Sequence, residues 1–202
     1  DNIQGYTVEN GWRYERHIIT AQTLVGNYTI PSACSLIFVE DKLWLEGVVA
    51  GKVTVAAANV ITAGVNPDLI LPGNITYAAS TTGAVGLLAI GEGSTLIPLN
   101  SPDVMTLKGI FVAQTGRFGR NHYTSSGSTQ VPSAYDPYII QSSLTVQGTI
   151  VSNGREGTKW TSGSVQTSGY TTRFKSYDRA LVANPPPLTP HTSDTYRFSE
   201  WR

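Results

Sequence analysis

Arg117, Phe118, Arg120, His122 and Tyr123 crowd two guanidinium groups, two aromatic rings and an imidazole into one short stretch. Tyr135 and Tyr138 close the same segment, and Trp160, Tyr170, Arg173, Phe174 and Tyr177 follow in a second one. Aromatic faces beside guanidinium groups suit sugar stacking or protein docking. The same residues would also serve to shield the last strands of a sheet from edge pairing, and both uses stand open at this stage. Arg117, Phe118, Arg120, His122, Tyr123 and Trp160 form the candidate set for a ligand or partner.

Other chemistry finds little support. His17, His122 and His191 are far apart and none has metal-ligand spacing. The lone Cys34 allows no intrachain disulfide and no cysteine-based zinc site. Its neighbours Ile30, Leu36, Ile37 and Phe38 predict a buried thiol. No G-x-S-x-G elbow, phosphate-binding loop or G-x-G-x-x-G turn occurs. A glycosidase needs two carboxylates flanking the scissile bond. Asp41 and Glu46 flank Trp44 and Asp103 stands beside Pro102, but residues 53–102 hold only Asp68 and Glu92. Calcium would need several convergent oxygens, and no Asp-rich turn repeats. The expectation is therefore no catalytic residue, no metal and no cofactor.

The formal net charge is zero, which argues against nucleic acid as the partner. The neutrality hides an asymmetry: residues 1–104 carry a net −5 and residues 105–202 a net +5. Opposite ends of that kind favour head-to-tail association. Charged residues make up only 14% of the chain, so Ser, Thr, Asn, Gln and Gly must finish the surface. No apolar run is long enough to span a membrane as a helix, so no membrane insertion by this chain is expected. A chain beginning at Asp1 suggests a removed leader or anchor, or an excised fragment.

The elements that must position these residues read as strands. Short runs rich in Val, Ile, Leu and Thr alternate with Gly- and Asn-containing turns, and no long window has helical periodicity. Four runs share an apolar residue, one variable residue and a glycine: Leu45-Glu46-Gly47, Leu71-Pro72-Gly73, Leu107-Lys108-Gly109 and Val146-Gln147-Gly148. Two of them match further, Thr106–Arg117 paralleling Thr145–Arg155 with one residue deleted. Repeats of irregular spacing with glycines at presumed corners predict an all-β, single-domain β-helix or solenoid with a capping C-terminal region. A β-sandwich is the alternative. The expected division is opening strands over 1–35, a β-helical core over 36–152, and an aromatic, Pro-rich cap over 153–202. Residues 114–138 read as a long functional loop, residues 153–176 as a second polar insertion, and Pro185–Pro190 as an extended segment whose tail docks back.

The stretch Phe38–Ala56, with Gly47, Gly51, Lys52, Thr54 and Ala56, resembles the PilX-type, pilus-assembly-like exported proteins common in small-genome uncultivated bacteria. So do Val85–Ile90 and the segment Ala113-Gln114-x-Gly116-Arg117-Phe118-Gly119-Arg120. The resemblance covers residues 30–202, and the hydrophobic N-terminal helix of such proteins has no counterpart here. It implies a bacterial, extracellular or cell-surface location and a structural, pilus-associated or adhesive role, with no catalytic residue to carry over.

The combined expectation is a non-enzymatic structural or self-assembling surface protein. An adhesin or carbohydrate-binding module is the first alternative and a carbohydrate-active enzyme the second. The expected partners are further copies of the chain, head to tail, and a glycan or surface protein.

Overall fold

The computed structural model describes residues 2–7, 11–16, 21, 23–31, 33–79 and 85–190. Strands β1 (Asn2–Thr7) and β2 (Gly11–Arg16) pair antiparallel as a sheet of their own. The next nine elements are β3 (Leu36–Val39), β4 (Leu43–Trp44), β5 (Gly47–Val49), β6 (Lys52–Ala57), β7 (Leu69–Ile70), β8 (Ile75–Tyr77), β9 (Gly86–Gly91), β10 (Thr95–Ile97) and β11 (Val104–Ala113). After β12 (Phe118–Arg120) and a 3-10 turn (Ser133–Tyr138) come β13 (Ile140–Ser152), β14 (Lys159–Ser162), β15 (Val165–Ser176) and the short helix α1 (Arg179–Ala183).

Two mainly parallel sheets result. One has nine strands along the path β14-β15-β13-β11-β9-β6-β3, with β5 and β8 pairing beside that path; the other has four in the order β12-β10-β7-β4. The register of β11 on β13 is residue for residue the internal match read in the sequence, Thr106 on Thr145 through Ala113 on Ser152. Repeated segments pair in this way because equal residues in adjacent strands present equal side chains to one core.

Strict alternation drives the packing. Along β11, Met105, Leu107, Phe111 and Ala113 are buried while Thr106, Lys108, Ile110 and Val112 turn outward. The inward residues meet Val55, Leu69, Ile75, Leu87, Ile97 and Val146 in one core. Each such aliphatic side chain contributes about 1.5–3 kcal/mol when fully buried. The alternation continues through Gly109, which is itself buried and takes φ +145°, a value that glycine adopts without a Cβ clash.

The outer face of β6 and β9 is covered by the chain's own tail. Asp178 caps α1 by accepting from the Ala180 amide at 3.0 Å. Leu181 and Pro186 lie against Gly86, and the Thr54 hydroxyl donates to the Pro187 carbonyl. That cover explains why Thr54, Ala56 and Leu88, outward by alternation, are buried all the same.

These pairings correct the fold expected from the sequence. The chain is neither a regular single-domain β-helix with a C-terminal cap nor a β-sandwich. Its ladders are parallel except for β1–β2 and β14–β15, which removes the antiparallel sandwich. Against the regular coil, Gly109 is not a corner between two strands: Met105–Leu107 and Ile110–Ala113 belong to one continuous β11. Leu144–Val146 and Thr149–Val151 likewise merge into β13, so Gly109 and Gly148 lie within strands. What is built is a mixed nine-stranded sheet beside a separate four-stranded one. Parallel crossovers of this kind are made by helices in α/β proteins; here strands and loops make them, and α1 is the sole α-helix among the described residues.

Smaller differences follow from the same cause. Asn27–Ile30 forms no ladder and stays exposed. Residues 153–176, read as a polar insertion, contain β14 and the twelve-residue β15. Its Thr, Tyr and Phe residues suit a pleated, half-covered surface. Cys34, expected inside, is exposed.

Candidate functional site

The six residues singled out by the sequence divide into a buried group and a surface group. β12 hydrogen-bonds in parallel beside β10, with Thr95 opposite Phe118 and Ile97 opposite Arg120. All three residues of this edge strand are buried. Phe118 points into the main core, its ring 6.0 Å from that of Phe111.

Arg120 is fully buried, and its guanidinium is held by carbonyl dipoles. Nη1 donates to the Ile139 carbonyl at 2.9 Å, and Nη2 to those of Leu99 at 2.9 Å and Tyr138. The cation lies 5.0 Å over the Tyr123 ring. Burial holds its pKa below the usual arginine value. Arg120 thus ties the turn at Leu99 and the end of the 3-10 turn to β12. Tyr123 is buried as well, in a second small core with Leu99, Val131 and Ile139. Within the segment expected to be a long functional loop, Phe118, Arg120 and Tyr123 therefore face no solvent, while Ser125–Ser128 stay exposed.

Arg117, His122 and Trp160 come together at the surface. The Arg117 guanidinium sits 5.8 Å over the Trp160 ring and donates through Nη2 to the Asn121 amide oxygen. The His122 ring lies 5.3 Å from Trp160, inclined by 39°, and its Nε2 is 3.3 Å from the Thr167 hydroxyl. Burial pushes the His122 pKa below the ordinary histidine value, so the neutral ring is favoured at pH 7. Gly157 makes the stack possible: a Cβ there would lie 3.2 Å from both Arg117 and Trp160. Trp160 is thereby wedged among its neighbours, which makes it a weak platform for a stacking sugar.

Beside this stack a hollow of about 470 Å³ is lined by Arg117, Arg155, Glu156, Gly157, Lys159 and Trp160, with Thr161 at its edge. Glu156 is paired with Lys175 at 2.5 Å, and Lys159 donates to the Thr171 carbonyl at 2.9 Å. The hollow is basic on balance and suits an anion or an acidic protein surface. Arg155 and Lys159 were not singled out from the sequence. The signal was present, since the internal match sets Arg155 against Arg117, one pass of the chain away.

Asp103 is held as a carboxylate and not as a proton donor. Glu46 and Asp103 line one shallow hollow of about 410 Å³ with Tyr138 and Gln141. Asp103 accepts from both the Ser142 hydroxyl at 2.6 Å and the Ser142 amide at 2.8 Å. Those bonds, the hydroxyl first, hold its pKa below the ordinary carboxylate value, the opposite of what a proton donor near neutrality requires. No group of three or more His, Cys, Asp or Glu suited to a metal occurs among the described residues. His17 and His191 lie outside them.

No protein-family model, curated protein or solved structure matches the chain.

At the opposite end, β3 pairs only with β6, β4 only with β7 and β5 only with β8. Among the described residues, these three strands have no second strand partner at this end of the sheets. Beneath them lies an apolar hollow of about 790 Å³, lined among others by Ile30, Ile37, Leu45, Val48, Val53 and Ile75. Phe38 and Val48 are exposed beside it, at 44% and 68%.

Proposed function

We propose that the chain is a non-enzymatic structural component of a bacterial cell surface, extracellular and self-assembling, of the pilus-associated kind its sequence resembles. The observation that carries this reading is the open end formed by β3, β4 and β5. A parallel edge with no partner among the described residues, beside an apolar hollow, is a template for pairing, and self-assembly is a use for an edge that soluble proteins otherwise block. The charge asymmetry supports it. Among the described residues, Glu40, Asp41 and Glu46 are exposed by the starting strands and Arg155 and Arg173 by the finishing ones, a complementarity that favours head-to-tail contact. Light scattering and negative-stain imaging at micromolar protein test the reading. Multimers that grow with concentration are expected; a monomer at every concentration and at low salt overturns it.

A second reading, an adhesin for an acidic glycan or surface protein, is favoured by the basic hollow at Arg117, Arg155 and Lys159. Binding to immobilised acidic polysaccharide that is lost in an Arg155→Glu, Lys159→Glu variant would support it. Equal binding by that variant would overturn it.

A further inference from the structure

Three columns of paired residues run the length of the sheets, and each begins in residues 36–49 and ends in residues 150–175. The first passes through Ile37, Val55, Ala89, Phe111 and Ile150. The second passes through Trp44, Ile70, Leu96, Gly119 and Gly157. The third passes through Gly47, Ile75, Leu107, Val146 and Lys175. β3, β4 and β5 fill the first, second and third in turn. At the other end β13 fills the third and then the first, the bridge at Gly157 the second, and β15 the third. The last visit is to the third column and the earliest, by β3, is to the first. Among the described strands, the first column at the finishing end therefore lies where β3 of another copy would fit.

The free edges agree with that order. β15 covers β13 only from Ile140 to Gln147, so Thr149–Ser152 pair on one side alone, with β11. On β3 the Ser35 and Val39 carbonyls are taken by the Thr54 and Ala58 amides. In a parallel ladder the intervening Leu36 and Phe38 therefore turn their backbone groups away from β6. Outward side chains match too, since Phe38 at 44% and Val151 at 50% exposure are apolar and occupy one column. Charge follows the same direction: Glu40, Asp41 and Glu46 are exposed at the starting end, and Arg155, Arg173 and Lys175 flank the finishing end.

We propose that a second copy of this chain occupies the open edge, adding head to tail with β3 paired in parallel on Thr149–Ser152, Phe38 beside Val151, and β5 beside Lys175. The contact is heterologous, so repetition gives an open filament. This register rests on the self-assembling reading above.

Disulfide trapping tests it. A Cys34→Ser background carrying Phe38→Cys and Val151→Cys places the two thiols on adjacent strands of neighbouring copies. Parallel strands about 4.8 Å apart bring Cα atoms within the ~4.4–6.8 Å that a disulfide bridges. Mild oxidation should give a non-reducing ladder of dimers, trimers and higher species. Either cysteine alone should stay largely monomeric, as should an out-of-register Val48→Cys, Val151→Cys control. Multimers by light scattering without a ladder, or with equal ladders in the control, overturn the register and leave self-assembly standing. Absence of both multimers and ladder, from protein whose circular dichroism matches the parent, overturns both.

Discussion

Gly148 sits directly on Gly109: a Cβ built on Gly148 would lie 1.9 Å from the Gly109 carbonyl oxygen. The two are register partners in β11 and β13, and both hold positive φ, +145° and +138°. Gly148 thus has no room for a side chain against Gly109, while a Cβ on Gly109 would lie 3.1 Å from the Leu87 carbonyl oxygen of β9. Gly148→Ala adds a clash with main chain to a left-handed backbone cost, together about 4 kcal/mol. Thermal unfolding should move down by roughly 10 °C for a chain of this size. Gly64, also at positive φ but with open space around it, is the control, and Gly64→Ala should cost about 1 kcal/mol.

Arg120 was a candidate for partner binding and is a clamp instead. Replacing it by Met keeps most of the volume but leaves the carbonyls of Leu99, Tyr138 and Ile139 without their cationic donor. A loss of about 3 kcal/mol is expected, from hydrogen bonds to a charged group and newly unpaired acceptors. Urea unfolding of Arg120→Met measures it. Limited proteolysis should cut first within residues 121–139, the segment the clamp holds.

The strands and their main register were legible because apolar alternation and a repeated glycine mark them. Thr106–Ala113 could be set against Thr145–Ser152 by eye, and the structure pairs those residues. Closure into a regular coil was not legible. A glycine after a short apolar run reads as a corner, whereas Gly109 and Gly148, at positive φ, lie inside strands that continue. The surface set was half legible for a related reason. Arginine and aromatic residues in a polar stretch read as exposed, yet strand alternation turns Phe118 and Arg120 inward. Carbonyls from residues 99, 138 and 139, remote in sequence, make the buried guanidinium tolerable.

Tyr170 sets an alkaline limit. It is buried, with its hydroxyl 2.9 Å from that of Ser101 and 3.2 Å from the Pro102 carbonyl, and burial pushes its pKa up to about 12. The folded pKa is raised above the unfolded value of 10.0. Its contribution is therefore intact below pH 10 and is lost as pH rises toward 12. The loss approaches about 2–3 kcal/mol by the upper end of that window. Unfolding by urea at pH 9, 10 and 11 should show the decline, and Tyr170→Phe should flatten it. An unchanged slope in Tyr170→Phe would assign the decline to other tyrosines.

Complementation distinguishes a head-to-tail contact from a symmetric one. Phe38→Asp places a charge on the starting edge, and Val151→Asp on the finishing edge. Both sites are exposed, so stability should change by no more than about 0.5 kcal/mol. Under the proposed contact each variant alone has one damaged end and stays monomeric. Mixed in equal amounts, they should form a heterodimer and stop there, because the intact finishing edge of Phe38→Asp meets the intact starting edge of Val151→Asp. A contact made by two starting edges would instead leave Val151→Asp self-associating as well as the parent. Sedimentation velocity on each variant and on the mixture separates the two arrangements, and a mixture that stays monomeric rules out the head-to-tail edge.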